Sequence, residues 1–175
     1  MKYHIKMKNI EVKGAEVISN IEKLEDAISL VRDNLNKGGA ICPCCQQFTK
    51  VYKRKISGSS AYGLVRLYQK YGKKEFHLER ALKELNILKI VRSDFPKLRY
   101  WDLIIQHKGK REDGSSRNGY YNITDRGVLF IFNHTKVQKY AHIYNNLRFQ
   151  SSGDLVLIND CWDEKFDYNE LMGNV

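Results

Sequence analysis

The chain has 175 residues, 42% of them hydrophobic and 11% aromatic, and carries a formal charge of +10. That length and apolar content suit one compact domain with an appendage, or two small ones, and exclude a disordered chain. No apolar run approaches the roughly 18 residues of a membrane span, the stretch "MKYHIKMKNIEVKG" lacks the apolar segment of a signal peptide, and "CPCC" is unlike a secreted disulfide framework, so an intracellular protein outside the membrane is expected.

Residues 3–12 alternate weakly and suggest a strand. From Ala15 to Asn36, the residues Val17, Ile21, Leu24, Ile28, Val31 and Leu35 recur at spacings of 4, 3, 4, 3 and 4, a heptad seam on one helix face. Ile18, Ala27 and Leu30 widen the stripe, which therefore suits the protein's own core as well as a coiled-coil homodimer. Gly38 and Gly39 end the helix.

Cys42 and Cys45 then form C-x-x-C around Pro43, a turn that sets two thiolates toward one tetrahedral zinc ion. Four ligands are needed, and no second C-x-x-C exists. A parallel dimer of the preceding helix would bring two half-sites together. A metal-free turn and a redox-active pair are the other readings of the same residues.

A basic block follows. Between Asp33 and Glu75 no acidic residue occurs, and residues 41–125 carry 18 basic against 8 acidic side chains. A bland solvated surface interleaves both signs. A one-signed block attracts a polyanion, of which nucleic acid is the common one; an acidic protein partner and simple solubility are the rivals. Lys53, Arg54 and Lys55 lie in a strand expected over Phe48–Ile56. "SGSS" at 57–60 caps a helix ending near Gly72, a second helix spans Leu78–Leu85, and Ile87–Val91 is an apolar connector.

Ser93 is a good N-cap for a third helix, with Pro96 in its first turn. Phe95, Leu98 and Trp101 share its inward face, leaving Lys97, Arg99 and Tyr100 more exposed. Asp102 stands where the chain must turn sharply, often through a left-handed residue. Two short strands, Leu103–Gln106 and Tyr120–Ile123, flank a loop with Lys108, Lys110, Arg111 and Arg117. Thr124 caps a helix over Asp125–Asn133. "HIYNNLRF" and "DLVLIND", joined by "QSSG", read as a hairpin, and "DEKFDYNELM" as a short acidic helix. The chain contains no G-x-x-x-x-G-K-[ST], G-x-S-x-G or H-E-x-x-H motif, and it does not read as an enzyme.

Over residues 58–133, "FPKLRYWDLI" and "GYYNITDRGVLFI" resemble the third helix and the aromatic-x-isoleucine-threonine-x-x-glycine signature of bacterial repressor-like winged helix-turn-helix domains. Asp102 departs from the glycine usual there. The resemblance implies a recognition helix in the major groove of double-stranded DNA and a wing on backbone or minor groove. Lys97, Arg99 and Tyr100 would be helix contacts, Lys108, Lys110, Arg111 and Arg117 wing contacts, and Lys53, Arg54 and Lys55 further basic contacts. "CPCCQQFTKVYKRK", "KLRYWDLI" and "KFDYNELM" also resemble a group of small phage-encoded proteins, which implies the cytoplasm of a bacterial host cell. The expected fold is α+β: an N-terminal strand, helix and half zinc-knuckle over 1–57, a winged helix over 58–134, and a hairpin with a short helix over 135–175. The expected function is a phage-encoded DNA-binding regulator of transcription or replication. The alternative is a phage inhibitor that blocks a host defence or nucleic-acid-processing enzyme.

Overall fold

A computed structural model describes residues 23–107, 109, 119–162 and 167–173. The fold is α+β, and the chain divides into two compact units, 1–52 and 53–175. The strand expected at 3–12 and the first half of the heptad helix lie outside the described residues.

In the first unit, α1 (Leu24–Asn34) places Glu25 and Asp26 in its first turn and Arg32 in its last, each favourable to the helix dipole. Gly38 and Gly39 reverse the chain at φ 119° and 99°, and the Gly39 amide donates to Asn34 O at 2.9 Å. A two-residue ladder of β1 (Ala40–Ile41) and β2 (Phe48–Thr49) follows, pairing Ala40 with Thr49 and Ile41 with Phe48. The single strand expected over Phe48–Ile56 is broken. The Val51 amide donates to Leu35 O at 3.1 Å, which diverts it from any sheet and separates β2 from β3 (Tyr52–Lys55).

The second unit holds nearly all of the described core. Helix α2 (Gly58–Tyr71) begins at Ser57, whose hydroxyl accepts from the Ser60 amide while Ser60 Oγ accepts from the Ser57 amide at 3.1 Å. Two otherwise unsatisfied donors are thereby paired. Then come β4 (Phe76–His77), α3 (Leu78–Glu84) and α4 (Leu88–Val91). The expected connector is thus partly a single helical turn, and β4 is too short for any periodicity to reveal. Gly63 lets α2 meet α4 closely, since a Cβ there would collide with Val91 Cγ1.

The expected third helix is instead a 3-10 helix, Phe95–Trp101, starting from Asp94 rather than Ser93. Its sequence explains the type: Phe95, Leu98 and Trp101 are all buried, and a spacing of three eclipses them on one face only at three residues per turn. Asp102 turns the chain at φ 60° into β5 (Ile104–Gln106), which pairs antiparallel with β6 (Tyr120–Ile123); β4 pairs on the other side of β6, giving the order β4-β6-β5. Thr124 caps α5 (Asp125–Ile131).

The C-terminal hairpin differs from the expected one. Its strands are β7 (Val137–Tyr144) and β8 (Leu147–Val156), and the turn is Asn145–Asn146, not "QSSG". Both asparagines have positive φ, 46° and 62°, the two-residue geometry whose twist matches a hairpin; the serines and Gly153 lie within β8. The sheet order is β3-β7-β8, leaving β8 at the edge with Leu147, Phe149 and Leu155 exposed. Val137, Ala141, Ile143 and Val156 join the same core as Leu64, Leu82, Phe95 and Phe130. Trp101 Nε1 donates to Gln138 O at 2.6 Å, fastening hairpin to helix. Helix α6 (Tyr168–Met172) packs nearby: Tyr168 Oη donates to Ile131 O at 2.7 Å and Gln69 Nε2 to Leu171 O at 2.7 Å. No helix among the described residues is long and apolar enough to cross a membrane.

Candidate nucleic-acid interface

The basic side chains of the second unit are held by the elements just described. Lys97 leaves the 3-10 helix and meets the Asp94 carboxylate at 2.6 Å; Asp94 also accepts from Ser59 Oγ at 2.5 Å. Partial burial opposes the charge on Asp94, but the Lys97 ammonium and the serine hydroxyls outweigh it and hold the carboxyl below its usual range. Lys97 therefore presents a neutralised pair. Arg99 spreads its guanidinium over the Tyr100 ring, 4.5 Å from the centroid, and donates to Pro96 O, to Tyr100 Oη and to Asn146 Oδ1 at 3.0, 2.8 and 2.5 Å.

Tyr100 corrects an expectation. It is 8% exposed, not an outward reader, because the eclipsed 3-10 geometry turns it toward the β7–β8 turn. There its hydroxyl donates to Asn146 Oδ1 at 2.8 Å. Its role is to carry Arg99. Lys108, Lys110, Arg111 and Arg117 lie outside the described residues. Lys53, Arg54 and Lys55 are exposed along β3, and Lys53 Nζ sits 4.1 Å above the Tyr140 ring.

Several other cations are already paired: Lys70 with Glu84 at 2.6 Å, Lys83 with Glu79 at 3.3 Å, Arg148 with Asp102 at 2.8 Å, and Lys73 with Asp125. Arg92 is a residue that the sequence pattern does not single out. It is exposed at the end of α4 and lines a cleft of about 270 Å³ with His77, Glu79, Pro96 and Gln106. That cleft lies between the starts of α3 and the 3-10 helix and the β4-β6-β5 sheet. The available signal is the run "LKIVRSDFPKLR", whose four cations the connector reading splits.

One link ties the site together. Thr124 Oγ1 accepts from the Gly127 amide at 2.9 Å and donates to Asp102 O at 2.7 Å. A Cβ on Gly127 would collide with Leu103 O, so only glycine allows α5 to approach β5 this closely. The threonine-x-x-glycine pattern thus positions the turn that aims the 3-10 helix.

In the first unit, Cys42 is half-buried while Cys44 and Cys45 are exposed, all as free thiols. The backbone N–H groups of Cys45 and Cys44 donate to Cys42 sulfur and hold its thiol below the ordinary value. Among the described residues, no group of three or more histidine, cysteine or acidic side chains converges as a metal site. No protein-family model, curated protein or solved structure matches the chain.

Proposed function

We propose that the protein is a winged-helix DNA-binding protein, phage-encoded and acting in the bacterial cytoplasm as a regulator of transcription or replication, without catalysis of its own. The observation that carries the reading is topological: helix, strand, helix, a single helical turn, 3-10 helix, strand, strand, with the first strand on the far side of the last. That order suits a 3-10 helix that enters a major groove as a recognition helix, and a segment between β5 and β6 that meets backbone as a wing. Arg92 and Arg99 supply phosphate contacts from the helical side, and Lys108, Lys110, Arg111 and Arg117 from the wing. Phosphate contacts give affinity, while sequence choice needs base edges. The phage setting rests on the resemblance of the cysteine block and the C-terminal "KFDYNELM".

A second reading, an inhibitor that occupies the nucleic-acid groove of a host protein, draws on the 3-10 helix, where Lys97, Arg99 and Tyr100 are all engaged within the chain. Fluorescence anisotropy with a random-sequence duplex across a salt series separates the two. Binding that weakens steeply with salt is expected. Lys110→Ala with Arg111→Ala should reduce the salt slope by about 1 for each phosphate no longer neutralised while leaving the melting transition in place. No duplex binding at low salt, with a stoichiometric complex formed with a host protein, would favour the inhibitor.

A further inference from the structure

We propose that two copies of this chain share one thiophilic divalent ion, zinc by its chemistry, through Cys42 and Cys45 of each copy. The backbone at 40–49 is already shaped as half of such a site. The β1–β2 ladder fixes the chain on both sides of the turn. Within it the Cys42 amide donates to Gln47 O and the Gln46 amide to Cys42 O, both at 2.8 Å. Gln46, directly after the second cysteine, is left-handed at φ 60°, and its Nε2 donates to Pro43 O at 3.1 Å. That conformation is costly for a long side chain, and here it folds the chain back directly after the C-x-x-C, so that Cys42 and Cys45 lie within one tight turn.

One chain supplies two of the four ligands that a closed tetrahedral zinc site requires, and no third converges among the described residues. A second copy supplies the same pair across a two-fold axis. The helix just before the knuckle says why a second copy comes. Leu24 and Ile28 on α1 are 61% and 46% exposed, and with the half-buried Val31 and Leu35 they continue a heptad seam that a partner helix covers. On binding, four thiols lose their protons to solvent and four thiolates coordinate one dication, with no change in oxidation state.

The test is anaerobic titration of the reduced full-length protein with Co2+, read by absorption and native mass spectrometry. Expected are thiolate charge-transfer and tetrahedral d–d bands that saturate at one ion per two chains, and a dimer carrying one ion that zinc displaces. Cys42→Ser and Cys45→Ser should each abolish the bands. Cys44→Ser, at the position inside the C-x-x-C that the proposed ligand pair does not include, should keep them. Cys45 is exposed, so serine there leaves the fold in place, and circular dichroism checks it. Ile28→Glu should weaken metal uptake at least tenfold at equal protein concentration. Saturation at one ion per monomer, absence of tetrahedral bands in folded protein, or a Cys44→Ser loss equal to that of Cys42→Ser would overturn the proposal.

Discussion

Asp102 holds a left-handed backbone at φ 60° that most residues with a Cβ adopt only at a cost of about 1–2 kcal/mol. Its carboxylate meets Arg148 at 2.8 Å, but the aspartate side chain is 55% exposed, and such pairs contribute under about 1 kcal/mol. Backbone conformation therefore outweighs the ion pair. Asp102→Ala should lower stability by about 1 kcal/mol relative to Asp102→Gly, read from urea midpoints; equal midpoints would remove backbone strain from the account. The need for a turn here, and aspartate's tolerance of it, are legible in the sequence. Tyr100 is less legible, since helix type decides which way its ring faces. Cys161 is a different case: burial, with Asp160 adding, pushes its thiol up to about 12. In metal-free native protein at pH 8, Ellman's reagent should count three fast thiols, with the fourth appearing only on unfolding. Four fast thiols would mean that the core around Cys161 is open.

The elements differ in how plainly the sequence announces them. Helix α2 has its caps, stripe and terminal glycine in view, and it forms where those marks stand. The 3-10 helix reads as α because Phe95, Leu98 and Trp101 fit both periods over so short a span. The hairpin turn is misplaced by a reading in which glycine and serine outweigh a plain Asn-Asn pair, although asparagine is among the few residues that accept left-handed φ. Ser57→Ala should destabilise the second unit by about 1 kcal/mol, and an unchanged midpoint would show that the capping pair contributes nothing. At the start of the 3-10 helix, Asp94 has a depressed folded-state pKa. Its contribution is therefore fully present above the unfolded carboxyl value of about 3.9 and is lost as pH falls through the lower folded value. Asp94→Asn should be less stable than the parent at pH 6, and the gap should close on acidification. A gap that persists at a pH far under the ordinary carboxyl range would mean that the side chain acts through shape rather than charge.

At the scale of the whole molecule, hydrophobic burial is unevenly shared. Among the described residues only Ala27 and Ala40 are buried apolar side chains before Ile56, whereas the second unit encloses Phe95, Phe130, Leu64, Leu82 and their neighbours. Each large side chain of that set contributes about 1.5–3 kcal/mol by leaving water. A fragment of residues 53–175 should therefore melt cooperatively, followed by circular dichroism, while residues 1–52 alone should not; a fragment 53–175 without a transition would show that its core needs the first unit. Little of that unevenness is legible in the sequence, because the basic block marks a surface and β4 beneath it is too short for its burial to show as a periodic pattern. The exposed edge of β8 has its own bearing on how the protein behaves in a tube. Among the described residues β8 pairs only with β7, and its other edge, with Leu147, Phe149 and Leu155 exposed, is a template for pairing with another sheet, while at low ionic strength the +10 charge keeps copies apart. Added salt removes that repulsion. Colloidal stability should therefore fall as salt is raised, with self-association along β8 as the route.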